Sequence, residues 1–185
     1  ASHKMNSIDE EKLSKEEKAL KYFSLGYWAY ELGKLEEAPI YFKKSEEQSN
    51  LFTSYNHYYL GLISLSQKQY SLAEQELTYV LKQKPQRQLV LQSKYALSEA
   101  LLKQKKYREA YRHLRYLERH WRSGGRHPEV IWRLIQVELE RNRKWKVCRW
   151  ARKLYSKYPA HPLTYDWRGG LDSARFQNKK LGCSA

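Results

Sequence analysis

A pattern of residue sizes occurs four times along this chain of 185 residues. In each copy a small or polar residue follows a bulky one, and about twelve positions later comes a second small residue with a bulky residue three places before it. The copies are Leu25-Gly26 with Leu35 and Ala38, Leu60-Gly61 with Tyr70 and Ala73, Leu97-Ser98 with Tyr107 and Ala110, and Ile135-Gln136 with Trp145 and Cys148. A period of about 34 to 38 residues is typical of stacked helix pairs. The sequence therefore predicts an all-α solenoid.

These residues resemble the tetratricopeptide repeat, in which two antiparallel helices pack through small side chains. Gly26 with Ala38 and Gly61 with Ala73 would be such contacts. The family also has a large residue four positions after the second small one and often a closing proline, and the matching residues are Phe42, Leu77, Leu114 and Pro85. The resemblance implies about four repeats over residues 19–162, arranged as a right-handed solenoid of antiparallel hairpins. Such repeats are platforms whose surface residues select the partner.

The ends of the chain differ from the repeats. Residues 1–5 are interpreted as a remnant of an expression vector, and residues 6–18 as a polar N-terminal segment. Residues 163–185 are expected to form a C-terminal cap followed by a loose tail, because a terminal repeat needs a cover for its apolar face. The side chains assigned to the cap are Leu163, Tyr165, Trp167 and Phe176.

Local signals set the expected helix boundaries. Ser14 and Glu17 form a capping-box pattern, which predicts that the first helix begins near Lys15. Gly33 should end this helix, and Pro39 should lie in the first turn of the next. The remaining helices are expected at residues 54–66, 70–83, 89–103, 107–122, 128–141 and 145–158.

The formal net charge of +15 is concentrated in the second half of the repeats. Residues 1–102 hold thirteen Lys and Arg against thirteen Asp and Glu, whereas residues 103–158 hold eighteen against five. Since residues three or four apart share a helix face, these cations form two basic stripes on the second helices of repeats three and four. One stripe is Arg108, Arg112, Arg115, Arg119 and Arg122, and the other is Lys146, Arg149, Lys153 and Lys157.

A basic surface of this kind predicts an anionic partner, although a merely solvated face has the same pattern. An acidic protein segment is the preferred interpretation, and nucleic acid is the second. Nucleic acid ranks lower because bases stack on accessible rings, whereas the repeat pattern assigns Trp132, Trp145 and Trp150 largely to packing. A membrane-surface helix fits less well, since the apolar faces are needed within the stack.

The resemblance also implies a concave groove lined by the first helices. Its inward positions would be Phe23, Tyr27, Tyr30, Tyr55, Tyr58, Leu62, Tyr95 and Glu99, followed by Arg133 and Val137. Tyrosine joins a large apolar face to a hydroxyl, so this groove predicts binding of a peptide or helical segment. The same rings could instead pack against the neighbouring repeat or the chain's own tail. The clamp with which some members bind acidic chaperone termini is absent, because its positions hold Phe23, Tyr27, Tyr59, Gln92 and Ala96.

The sequence contains no pattern that indicates catalysis. No two of the six histidines lie three or four residues apart, there is no Cys-x-x-Cys, and no glycine-rich phosphate loop is present. Cys148 is expected to be a buried, inert thiol, and its spacing from Cys183 is unlike a secreted disulfide framework. We therefore expect no enzyme, no metal and no cofactor.

Two further observations concern location. No apolar run approaches the roughly 18 residues that span a bilayer. The residues after Met5 are polar and acidic, without the apolar core of a signal peptide, which favours the cytoplasm.

The sequence thus favours a non-catalytic scaffold or adaptor with two binding surfaces, an aromatic groove and a basic outer face. The alternatives are a nucleic-acid-binding module that uses the basic stripes, and a tetratricopeptide chaperone of the secretion type.

Overall fold

A computed structural model of the chain describes residues 10–121 and 125–165. These residues are helical and contain no strand. The α-helices are α1 (Lys15–Glu31), α2 (Ala38–Gln48), α3 (Thr53–Ser66), α4 (Tyr70–Lys82), α5 (Arg87–Lys103), α6 (Tyr107–His120), α7 (His127–Glu140), α8 (Lys144–Lys157) and α9 (Pro162–Tyr165). Short 3-10 helices, Glu10–Lys12 and Asn50–Phe52, precede α1 and α3. None of these helices has both the length and the apolar character needed to cross a bilayer.

Helix α1 begins where its capping residues predict. The Glu17 amide donates to Ser14 Oγ over 3.2 Å, and the Ser14 amide donates to Glu17 Oε2 over 2.8 Å. These bonds satisfy two backbone donors that the helix itself leaves without partners. Pro39 lies in the first turn of α2, as expected, where its missing amide costs little.

The expected boundaries of the later helices lie within two residues of the observed ones. The largest differences are at the start of α5, which begins at Arg87, and at the end of α6, which ends at His120. The sequence did not predict the 3-10 helix Asn50–Phe52 or the short helix α9. Both lie where no apolar periodicity extends over more than a turn.

Four loops share one backbone geometry. They join α1 to α2, α3 to α4, α5 to α6 and α7 to α8, and each contains one left-handed residue: Gly33, Lys68, Lys105 or Asn142. In every case the next amide donates to a carbonyl five residues earlier, over 2.8 to 2.9 Å. This is the bond that closes a helix in the Schellman motif. The first three sequence copies are therefore also copies of one local structure. In the fourth copy the predicted register is wrong by one residue, because Val147 and not Cys148 takes the place of Ala38, Ala73 and Ala110.

The two glycines of the pattern allow close contact with the large residue of the same copy. A Cβ atom added to Gly26 would lie 2.7 Å from ring carbons of Phe42, and one added to Gly61 would lie 2.7 Å from Leu77 Cγ. The contact expected between Gly26 and Ala38 stays a prediction. Phe42 lies one turn after Ala38 and has the reach to cover the glycine.

The chain divides into two compact units within α5, at Ala96 and Leu97. In the N-terminal unit (Ala1–Ala96), α1 packs against α2, α3 packs against α4, and α2 also contacts α3. The buried core that joins the first three of these helices is Ala29, Ala38, Phe42 and Ile63.

In the C-terminal unit (Leu97–Ala185), α7 packs against both α6 and α8. Helix α9 contacts α7, with Thr164 buried and Leu163 half-buried, in the region expected to act as a cap. Trp167 and Phe176, which were also assigned to the cap, lie outside the described residues, and of Tyr165 only the backbone is described.

The prediction for Cys148 is wrong, because its sulfur takes part in a disulfide. The residue is half-buried on α8, and the chain's other cysteine, Cys183, lies outside the described residues. Disulfides are typical of oxidising compartments. The cysteines therefore no longer support the expectation of a cytoplasmic location.

Candidate functional site

An aromatic cluster, defined here as the rings around Tyr59, joins α1, α2 and α3 in the N-terminal unit. Tyr59 stacks on Phe42 with ring centroids 5.6 Å apart and meets Tyr27 edge to face at 5.4 Å. Its other ring neighbours are Phe23, Tyr30 and Tyr58. Contacts of this kind stabilise a structure beyond the area they bury. Most of the expected groove side chains in this unit therefore also hold its helices together.

Burial raises the pKa of Tyr59 above that of an ordinary tyrosine. Removal from water raises the pKa of its phenol to about 12, with smaller contributions from the nearby Tyr27 and Tyr58. The hydroxyl therefore stays protonated at neutral pH and remains a hydrogen-bond donor.

The residues predicted to line the groove differ in exposure. Tyr55 is 38 % exposed, whereas Phe23, Tyr27, Tyr30, Tyr58, Leu62 and Tyr95 are half-buried. In the C-terminal unit, Glu99 accepts a hydrogen bond from Arg133 over 2.9 Å, so these two groove residues form an ion pair. Val137 is fully buried and cannot line a surface.

In the same unit, a histidine on α3 lies between a carboxylate on α2 and a carboxylate on α4. His57 Nδ1 is 2.5 Å from Glu76 Oε2, and His57 Nε2 is 3.3 Å from Glu46 Oε1. The hydrogen bond to Glu76 is the main reason that the pKa of His57 is raised, against the opposing effect of burial. We call this group the histidine clasp, because it connects side chains of three helices.

The basic stripe on α6 has an exposed row and one inner residue. Arg108, Arg112 and Arg119 are exposed, and they lie on one side of the helix together with Tyr116. Arg115 is half-buried and faces α8. Arg122, the last predicted member, lies outside the described residues.

A buried carboxylate holds two of the predicted stripe cations. Glu118, on α6, accepts a hydrogen bond from Arg115 Nη1 over 2.6 Å and another from Lys153 Nζ on α8. Burial alone would raise the pKa of Glu118, but Lys153 and Arg115 together lower it below its usual value. The carboxylate therefore stays ionised and ties α6 to α8.

A second buried carboxylate also has two cations near it, but its oxygens accept no hydrogen bond from them. Glu138, on α7, is completely buried, with Arg141 Nη1 at 3.5 Å and Lys146 Nζ at 3.7 Å. Both cations also lie over the Tyr111 ring, at 5.1 and 5.3 Å from its centroid. We call the two carboxylates with their cations the acidic seam. Lys146, like Arg115 and Lys153, thus has an internal partner.

Outside the seam, α8 presents cations and an aromatic ring on the same side. Trp145 is 63 % exposed, and Arg149 and Arg152, four and seven residues later, are exposed as well. The prediction that Trp145 packs inside the stack is therefore wrong. Trp150 does pack, at 4 % exposure, and the guanidinium of Arg115 lies 4.8 Å from its ring. Lys157 is exposed, with its ammonium 5.8 Å from the Tyr158 ring.

A buried histidine supports the same end of the seam. His127 Nε2 is 3.0 Å from the Glu118 carbonyl, to which it donates, and Nδ1 is 2.6 Å from the Tyr158 hydroxyl. Burial lowers the pKa of His127, so the neutral ring is the favoured form. A neutral ring can donate at one nitrogen and accept at the other, which matches these two bonds.

Sequence reasoning missed the two buried glutamates. Each of them stands three residues from an arginine: Glu118 follows Arg115 on α6, and Glu138 precedes Arg141, the residue just after α7. This spacing does not by itself identify a buried acid, because Glu109 lies three residues before Arg112 on α6 and is exposed. The outer face of α6 and α8, defined by Arg108, Arg112, Tyr116, Arg119, Trp145, Arg149 and Arg152, is the candidate binding site that remains after the seam cations are assigned.

Across residues 10–121 and 125–165, no three His, Cys, Asp or Glu side chains are grouped so that they could hold a metal ion. No protein-family model matches this chain, and a search of curated proteins finds no match.

Proposed function

We propose that this chain is a tetratricopeptide-like scaffold, a right-handed solenoid of antiparallel hairpins that binds partners and catalyses no reaction. Support for the repeat comes from the four loops with a left-handed residue and a common hydrogen bond. Further support is the close approach of Gly26 to Phe42 and of Gly61 to Leu77. Four copies of one helix-loop-helix geometry at the sequence period are what a repeat scaffold requires.

The observation that carries the binding proposal is the separation of the basic residues into two groups. Arg115, Lys146 and Lys153 are held by buried carboxylates, whereas Arg112, Arg119 and Arg149 remain exposed outside the seam. Exposed arginines side by side repel one another and gain from an anion between them. We assign the outer face to an anionic partner.

The aromatic cluster supports a second surface for a peptide or helical segment. Tyr55 and Tyr58 lie on one side of α3, where their rings adjoin Phe23 and Tyr59. Rings fixed by neighbouring rings lose little conformational entropy on binding, which favours contact with an apolar side chain of a partner.

Partner capture from the native host, followed by measurement with purified partners, tests both surfaces. Arg112→Glu with Arg119→Glu should weaken an anionic partner at least tenfold and flatten the salt dependence of its affinity. Arg115 is unsuitable for reversal, because a carboxylate there would face Glu118 and unfold the seam. The matched control reverses Lys43 and Lys82, two exposed lysines of the N-terminal unit.

For the aromatic surface, Tyr55→Ala with Tyr58→Ala should weaken a peptide-like partner about tenfold or more, with little effect of salt. Ile40→Ala with Leu72→Ala removes exposed apolar side chains elsewhere in the unit and should leave that affinity unchanged. Normal affinity of every captured partner for both sets of variants would contradict the proposed function.

A further inference from the structure

The outer face combines cations with exposed aromatic rings. In the described residues of the C-terminal unit, the large apolar side chains that are exposed are all aromatic, namely Tyr116, Trp145 and Tyr155. Each lies on α6 or α8, the helices that carry the basic stripes. This interleaving of rings and cations is the feature that the sequence pattern did not predict.

The rings and the arginines share one side of each helix. On α8, Trp145, Arg149 and Arg152 follow one another at four and three residues, so they lie in a row. On α6, Tyr116 lies four residues after Arg112 and three before Arg119. Residues four apart are separated by about 6 Å along a helix axis, which is the scale of one nucleotide.

The two rows lie side by side, because the seam joins α6 to α8. Lys153 bonds Glu118, Arg115 covers Trp150, and Lys146 lies over Tyr111. These contacts fix the spacing between the helices, and Lys146 also lies 5.2 Å from the centroid of the Trp145 ring in the outer row. A ligand on the outer face would therefore meet a preformed surface.

We propose that the outer face of α6 and α8 binds single-stranded nucleic acid, with phosphates on Arg112, Arg119 and Arg149 and a base stacked on Trp145. This inference rests on the proposed anionic site and names its partner. Phosphate matches the planar guanidinium through paired hydrogen bonds. An unpaired base offers its flat face to an indole, which stabilises such complexes without regard to sequence.

The exposed rings decide between the possible polyanions. A duplex hides the faces of its bases within the helix, so it would use the arginines but not Trp145. An acidic peptide would likewise gain from the arginines, and its carboxylates have no reason to select an exposed indole. A single-stranded partner therefore explains why Trp145 is 63 % exposed better than a duplex or an acidic peptide does.

The test compares polyanions on the intact chain by fluorescence anisotropy at about 50 and 150 mM salt. The probes are oligothymidine and oligouridine of about twelve nucleotides, a duplex of equal length, and a polyglutamate of equal charge. The single strands should bind at least tenfold more tightly than the duplex or the peptide at the higher salt. Their binding should also quench the fluorescence of Trp145.

Substitutions test which side chains contact the nucleic acid. Trp145→Leu should weaken binding of the single strands about 5- to 100-fold, and Trp145→Phe should restore most of the loss, since any flat ring can stack. Trp28→Leu is the matched control, because Trp28 is 41 % exposed but lies in the N-terminal unit. Arg112→Glu with Arg149→Glu should lower the slope of affinity against salt by about one to two phosphate contacts. Thermal unfolding of each variant checks that it remains folded.

The outcomes separate this inference from the proposed function. If polyglutamate binds as tightly as the single strands, or Trp145→Leu leaves oligonucleotide affinity unchanged, the nucleic-acid inference is wrong. Loss of peptide binding in the arginine variants would then still support an anionic site for an acidic protein. If none of the polyanions binds at about 150 mM salt, both the inference and the anionic site fail.

Discussion

The two compact units use opposite arrangements of charge between their helices. In the N-terminal unit one imidazole, His57, lies between the carboxylates of Glu46 and Glu76. In the C-terminal unit one carboxylate, Glu118, lies between the cations of Arg115 and Lys153. In each case the central group receives two partners of opposite charge.

The difference shows how a strongly basic repeat unit can pack. Residues 103–158 have only five acidic residues against eighteen basic ones, and two of the five are buried beneath cations. A buried carboxylate is stable only when it is paired, and here it neutralises cations that would otherwise repel one another across the helix contact. Arg112, Arg119 and Arg149 stay exposed outside the seam, where they can bind a partner.

The largest expected effect tests what the units share. Ala73 in the N-terminal unit and Ala110 in the C-terminal unit are both fully buried at the same place in the repeat. Changing either one to Arg should lower the free energy of unfolding by about 2 to 5 kcal/mol, because a long charged chain cannot fit there. Denaturant unfolding measures both variants. A melt like that of the unchanged chain would show that the repeat register is wrong.

The next effect tests the acidic seam. Glu118→Gln keeps the shape of the side chain but leaves Arg115 and Lys153 close together without a counter-charge, and should destabilise the C-terminal unit by about 2 to 4 kcal/mol. Glu109→Gln, at an exposed position on the same helix, is the control and should change stability by less than about 0.5 kcal/mol. Hydrogen exchange across α6 and α8 locates the loss. Equal effects of the two variants would show that the seam has no structural role.

The two units should respond to pH in opposite directions. Because the folded-state pKa of His57 lies above its ordinary value of 6.5, the clasp stabilises the N-terminal unit below that pH, and this contribution is lost as pH rises through the folded pKa. Because burial lowers the pKa of His127, its contribution is present above 6.5 and is lost as pH falls towards the folded pKa. Hydrogen exchange measured on either side of neutrality should therefore show the N-terminal unit opening more at higher pH and the C-terminal unit opening more at lower pH.

Two substitutions test which histidine causes the pH response of each unit. His57→Gln should remove the response of the N-terminal unit at a cost of about 1 to 2 kcal/mol, and His127→Gln should remove that of the C-terminal unit. If the stability of both units in the unchanged chain changed with pH in the same direction, the opposite pH responses assigned to His57 and His127 would be wrong.

The smallest effect concerns the repeated loops. Lys68 and Lys105 adopt left-handed backbone in the two units, a conformation that disfavours residues other than glycine. Lys68→Gly and Lys105→Gly should each stabilise the chain by about 0.5 kcal/mol, since glycine removes the strain but is more flexible in the unfolded state. Asn142→Gly should give less, because asparagine tolerates this conformation. Thermal unfolding measures all three, and a loss of stability at Lys105 would contradict the shared loop geometry.

Helices were predictable because their signals are local. The capping pair of Ser14 and Glu17 and the proline at position 39 act within one turn, so the sequence determines where α1 and α2 begin. The left-handed turns at Lys68 and Lys105 were not visible, because lysine carries no preference for that conformation. The only signal in the sequence was that Lys68 and Lys105 occupy the place in their repeats that Gly33 occupies in the first.

The candidate site shows the limit of pattern reasoning. The spacing of the cations correctly indicated that Arg108, Arg112 and Arg119 share a helix face, but it also assigned Trp145 to the packed interior. Trp145 is the second residue of α8, so Lys144 and not Trp145 holds the place that Tyr70 and Tyr107 hold at the start of α4 and α6. Burial depends on what lies opposite a residue, which spacing along one helix does not contain.

The sequence by itself determined the helices and the concentration of positive charge after residue 102, since both follow from residue types at fixed spacing. Tertiary structure alone decided which cations are available to a partner. Lys153 and Arg149 lie four residues apart on α8 and are both cationic, yet Lys153 is held by Glu118 of α6 and Arg149 is exposed. The reason is that ion pairing depends on distances between helices, and these are set only when the side chains of the whole unit pack together.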